Sequence, residues 1–141
     1  TLTVVSFHGS SGISSDDIQC RVKQVEQAFV DLGDGEPGAN GERNIVLGDF
    51  NTDPGRMAKS DDSAARLLDF AGEGGPFHFV SEMGPSVTPT YARLFNIDHV
   101  IADVLDGECW AAGITPGHEH LTETVFFDHR PVVCSLTELR R

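Results

Sequence analysis

Asn44-Ile45-Val46-Leu47-Gly48-Asp49-Phe50-Asn51 reads as a short buried strand that ends in chemistry. Asn44 to Leu47 form the strand, Gly48 ends it where the backbone turns tightly, and alternation then points Asp49 and Asn51 to one side and Phe50 to the core. Two further segments repeat the pattern. Asn96-Ile97-Asp98-His99 leads into Val100-Ile101, and Phe127-Asp128-His129-Arg130 leads into Pro131-Val132-Val133-Cys134. Asp, Asn and His are poor strand formers. Their place at the ends of Val, Ile and Leu runs makes sense if the strands aim them into one cleft.

The elements around these segments give an α/β order. Leu2-Thr3-Val4-Val5-Ser6-Phe7 is a strand that delivers His8, with Ser6 and His8 on one face and Val5 and Phe7 on the other. After the turn Gly9 to Gly12, Ser14 or Ser15 caps a helix with Asp16 and Asp17 in its first turn. Ile18, Val22, Val25, Phe29 and Leu32 make its apolar stripe, and Gly33 stops it. Residues 34–41 read as a loop. A second helix spans about Asp61 to Ala71, capped near Ser60. Phe77 to Ser81, Asp98 to Ala102, about Cys109 to Ala112 and Val132 to Leu136 read as strands. Strand, helix, strand predicts layered α/β packing in one domain, residues 1–141.

Composition bounds the function. At 141 residues the chain suits one core. No stretch approaches the roughly 20 apolar residues of a membrane span. The chain opens inside a strand with no initiating Met and is read as a fragment or processed chain. Its net charge is −12, and its ten basic residues are scattered rather than gathered in a stripe, which argues against tight binding of duplex nucleic acid. A phosphate substrate stays compatible with that acidity if a divalent cation reverses the local field. Of three cysteines, Cys109 and Cys134 fall on strands near the end of the chain. A bridge between them would favour an exported, extracytoplasmic protein; the alternative is two buried thiols in a cytosolic enzyme. Cys20 is read as helix packing.

Each polar group has a functional and a plain reading. Asp49 is suited to orienting or deprotonating a water and Asn51 to donating to a phosphate oxygen; alternatively the pair forms an Asx-type turn bonded to its own backbone. An Asp98–His129 pair would fix the imidazole tautomer and leave the other ring nitrogen for substrate, with Asp128 free to take a hard divalent metal; the alternative is a surface salt link. His8 is either a general acid or a satisfied structural histidine. Arg93 is a phosphate grip or a solvated loop arginine. Arg56 and Lys59 add positive charge near the Asp49 loop. His118-Glu119-His120 is read as an exposed loop rather than a metal site.

Gly48-Asp49-Phe50-Asn51, Asn96-Ile97-Asp98-His99 and Phe127-Asp128-His129-Arg130-Pro131-Val132, taken in order, resemble the endonuclease/exonuclease/phosphatase superfamily with its DNase I-like fold. Val4-Val5-Ser6-Phe7-His8 looks like that family's central strand ending in a catalytic histidine. The resemblance implies a two-sheet β-sandwich flanked by helices and Mg²⁺-dependent (or Mn²⁺- or Ca²⁺-dependent) hydrolysis of phosphoesters by a phosphodiesterase, nuclease or phosphatase. Asp49 would orient the water and touch the metal, Asn51 would contact phosphate, Asp98 would orient His129, and His129 would stabilise the attacked phosphoryl group. His8 would assist the leaving group and Asp128 would hold metal. Substrates of the class include a small phosphodiester, a lipid headgroup or nucleic acid.

The family also supplies an Asn and a metal-binding Glu from the half that precedes the His8 strand, and the chain resembles the C-terminal half. Phe127 stands where the family has Ser, and Asn96 where it has Arg. A missing N-terminal half or a second copy is therefore an expected partner, and the competing expectation is a non-catalytic half-domain serving interaction or regulation. Such a half would leave one sheet face apolar and exposed.

Overall fold

A computed structural model describes residues 1–33, 35–84, 86–113, 117 and 128–139. Alternation along the first strand, β1 (Leu2–His8), buries Phe7 and turns Leu2, Val4, Ser6 and His8 outward. It pairs in parallel with β2 (Arg43–Asp49), and β2 pairs antiparallel with β4 (Asp98–Ala102), which carries the two-residue β3 (His78–Phe79) on its far side. The parallel pair is joined through the helix α1 (Ser15–Phe29), as such crossovers require. α2 (Pro54–Met57) and α3 (Asp62–Ala71) follow β2. A separate antiparallel pair, β5 (Leu105–Ala111) and β6 (Val132–Glu138), completes the described elements. The chain is thus a mixed α/β protein. No helix among the described residues is long and apolar enough to cross a membrane.

Each face of the four-stranded sheet has its own core. On one face Phe7, Val46 and Ile101 pack with Val25, Phe29, Leu67 and Phe70 of the helices. On the other, Ile45, Val100 and Ala102 meet Leu105, Cys109, Val132, Cys134 and Leu136 of the β5–β6 pair. That cover stops short of β1: Leu2 is 49%, Val4 56% and Leu47 36% exposed. The exposed apolar residues are thus a strip on β1 and the end of β2 rather than the whole sheet face that a half sandwich would leave bare. Cys109 and Cys134 are directly opposed across β5 and β6 and form a disulfide.

Several boundaries differ from the expectations, each for a local reason. α1 ends at Phe29 rather than at Gly33, because the loop returns to bond its last turn: the Gly38 N–H donates to the Gln27 carbonyl and Ala39 N–H to that of Ala28. Leu32 is left half exposed. The buried stripe is Arg21, Val25, Ala28 and Phe29, and Cys20, about 100° around the helix from Arg21, is exposed rather than packed. α3 is capped by Asp61, whose carboxylate accepts from Ser63 and Ala64 N–H, not by Ser60. β3 is shorter than Phe77 to Ser81 because Val80 and Ser81 both donate to the Val100 carbonyl, ending the ladder. β5 begins earlier than Cys109. The ladder runs back to Leu105 because Gly107 is where a Cβ would meet the Ser135 carbonyl oxygen at 1.9 Å, so the glycine admits the close approach of β6. Gly48 lies inside β2 rather than ending it: its φ is 140° and a Cβ would stand 2.0 Å from the Phe7 carbonyl oxygen.

One feature absent from the sequence reading organises the helical layer. Arg21 and Asp61 are both almost fully buried and paired at 3.0 Å. The guanidinium also donates to Ser63 Oγ and to the carbonyls of Ser10 and Gly12, so the pair fastens α1 to α3 and to the loop after His8. Replacing Arg21 with Met strands a buried carboxylate and is expected to lower unfolding free energy by about 3 kcal/mol or more, read by chemical denaturation. The disulfide closes a 25-residue separation; a Cys109→Ser/Cys134→Ser variant is expected to lose about 3 kcal/mol in the same assay.

Candidate active site

Strand register builds the site. His8 is opposite Asp49 across β1 and β2, and Asp49 is opposite Asp98 across β2 and β4, so three polar side chains share one rung and one face. His8 Nε2 lies 3.7 Å from Asp49 Oδ2. His129 arrives from the segment leading into β6, with Nε2 also 3.7 Å from Asp49 Oδ2. Its Nδ1 is 3.0 and 3.2 Å from the two Asp98 oxygens. An ionised carboxylate only accepts, so Nδ1–H donates to Asp98 and Nε2 is turned toward Asp49. The structure thus brings together His8, Asp49, Asp98 and His129.

The Asp49 turn is bonded to its own backbone. Phe50 is fully buried and stacks on Phe7 with ring centroids 4.3 Å apart. Asn51 sits at φ 50°, and its N–H donates to Asp49 Oδ1 at 2.7 Å, which is an Asx turn. Its amide Nδ2 donates to the Gly9 carbonyl at 2.9 Å and to Asp49 Oδ2 at 3.2 Å. Asn51 is therefore a clamp between the His8 loop and Asp49, with its amide nitrogen engaged inside the protein. The same turn leaves Asp49 Oδ2 facing both histidines.

Of the remaining candidates, Asp128 is exposed and acts on His129 by its charge; among the described residues, those whose ligand atoms could close on one ion are Asp49, Asp98 and His129, within 4.8 Å of one another, and Asp128 is not one of them. Arg93 is exposed at φ 60° in the tight turn Tyr91 to Phe95. Arg56 is paired with Asp53 at 2.6 Å and donates to the Val87 carbonyl, and Lys59 is exposed. His118-Glu119-His120 and Phe127 lie outside the described residues.

Sequence reasoning missed the residues beneath the site. Asp53 is buried, caps α2 and accepts from Asn96 N–H at 2.9 Å, joining the Asp49 loop to the approach to β4. The Asp53-Pro54 step is a helix-start signal that would have revealed it. His99, one rung inward, is fully buried between Phe50 and Phe79; its Nε2–H donates to the Thr52 carbonyl, and burial pushes its pKa down to about 4. It is a neutral structural histidine. Beside the cluster an open cleft of about 350 Å³ runs along Leu47, Val100, Pro131 and Val132.

Electrostatics follow from this packing. Burial raises the Asp49 carboxyl pKa, with the Asp98 charge adding to it and the Asn51 N–H and the two histidines opposing. For His129, burial disfavours the charged ring, but the Asp98 hydrogen bond and charge, with Asp49 and Asp128 behind it, outweigh that and raise its pKa above the ordinary 6.5. A folded-state value above the unfolded one adds stability that is complete below about pH 6.5 and is lost as pH rises through the raised value. In Asp98→Asn, NMR titration of the ring is expected to give a pKa lower than in the parent, and that pH-dependent stability is expected to shrink.

Compared with protein-family models the chain matches none, and compared with curated proteins it matches none either.

Proposed function

We propose that this chain is a metal-dependent hydrolase of phosphoester bonds, built as the C-terminal half of a DNase I-like fold. The observation that carries the reading is the shared rung of His8, Asp49 and Asp98 with His129 closing over it. Asp49, with its raised pKa, accepts a proton from water more readily than an ordinary carboxylate, and its Oδ2 faces both imidazoles. His129, held by Asp98 and biased to its charged form, presents Nε2 as a donor to a phosphoryl oxygen that gains charge during attack. His8, with its side chain 76% exposed, is placed to protonate a leaving oxygen.

Asp49 and Asp98 would supply carboxylate oxygens to a hard divalent cation such as Mg²⁺ or Mn²⁺, and the charged His129 ring would stand beside it as a donor rather than a ligand. Such an ion supplies Lewis-acid neutralisation of phosphoryl charge. The net charge of −12 and the apolar cleft beside the cluster favour a small phosphodiester or a lipid headgroup over long duplex DNA. The Cys109–Cys134 bridge suits an extracytoplasmic setting.

Hydrolysis of bis-p-nitrophenyl phosphate, with p-nitrophenyl phosphate alongside, is expected to require Mg²⁺ or Mn²⁺ and to stop on chelation. Asp49→Asn is expected to lower kcat about a hundredfold or more. Turnover that survives both chelation and this substitution would overturn the assignment. No turnover by the parent chain with metal present would point instead to a non-catalytic half-domain.

A further inference from the structure

His129 belongs to a segment outside the four-stranded sheet, yet its hydrogen bond to Asp98 needs placement within a few tenths of an ångström. Residues 89–92 bridge the two. Thr90 is buried, and its Oγ1 accepts from the N–H groups of both Ile97 and Asp98 at 3.2 Å, using both lone pairs on the backbone that starts β4. The Thr90 carbonyl accepts from Arg130 N–H at 2.8 Å. Ala92 N–H donates to the Asp128 carbonyl at 3.2 Å, and an Arg130 guanidinium nitrogen donates to the Pro89 carbonyl. Between these contacts Tyr91 pairs with His129 as an isolated bridge and lays its ring 4.7 Å from the imidazole, tilted by 43°.

We propose that Thr90 and Tyr91 are the positioning residues of the Asp98–His129 pair, one fixing the carboxylate's backbone and the other fixing the imidazole's plane. The geometry stands without turnover, while its catalytic consequence rests on the hydrolase reading above. Thr90 holds the strand start from which Asp98 projects; Tyr91 limits rotation of the ring whose Nδ1 must point at that carboxylate. Neither side chain needs to touch substrate for this role.

The test follows the proton that the pair shares. A carboxylate-bonded imidazole N–H gives a downfield proton resonance, assignable to His129 through ¹⁵N-labelled histidine. It is expected in the parent and in Thr90→Ser, which keeps the oxygen, and is expected to be lost in Thr90→Val and in Tyr91→Leu while both still melt cooperatively. Where the parent hydrolyses phosphodiester, kcat in the two damaging variants is expected to fall on the order of tenfold or more with KM little changed. A role in stability alone would lower the melting temperature and leave the resonance in place. Persistence of that resonance in folded Thr90→Val and Tyr91→Leu overturns the proposal. If Thr90→Val does not fold, the half-buried Tyr91 decides alone. Because the resonance is read without substrate, a parent lacking hydrolase activity leaves this outcome distinct from failure of the hydrolase reading.

Discussion

Backbone hydrogen bonding between β1, β2 and β4 fixes which residues stand level with one another, and every feature of the site depends on that register. With His8 opposite Asp49 and Asp49 opposite Asp98, three side chains from distant parts of the chain leave the same face within reach of one another. A slip of one residue in any strand would turn its polar end toward the helices and bring Phe7, Gly48 or His99 to the cleft. Glycine at 48 protects the alignment, because any larger residue would drive β2 away from β1 at the Phe7 carbonyl.

Around that rung the protein spends its buried polar groups on loops rather than on the core. Arg21 and Asp61 secure the turn after His8, and Asp53 joins the Asp49 loop to the approach to Asp98. Asn51 closes the last gap by reaching back to Gly9. A buried ion pair contributes little net stability compared with an apolar replacement, so its value here lies in holding irregular backbone in one conformation. His99 shows the other solution, a histidine kept neutral by burial among aromatic rings.

The strand ends were legible because they break a strong local rule: acidic residues, asparagine and histidine are poor strand formers, yet here they stand at the tips of apolar runs. Asp98 to Ala102 coincides with the expected strand, and α3 lies within a residue of its expected start. The Asp98–His129 contact was also readable, since both residues lead into strands. What could not be read depends on partners far away in the chain. Arg21 looks like a solvated helix residue until Asp61 is seen forty residues on. The early end of α1 depends on a returning loop, and the strand character of Asp106-Gly107-Glu108 depends on β6. Asn51 looks the same in sequence whether its amide meets phosphate or the Gly9 carbonyl, and here it meets Gly9.

The uncovered strip on β1 has a consequence for how the molecule behaves in a crowd. Among the described residues β1 lies at the rim of its sheet, presents Leu2 and Val4 outward, and holds no Asp, Glu, Lys or Arg along its length. Mutual repulsion between copies must then come from the acidic surplus spread over the rest of the surface, which acts only across a Debye length. Raising ionic strength shortens that reach, and among the described residues β1 carries no further strand on its outer side, so copies of this 141-residue chain are expected to meet there first as salt rises.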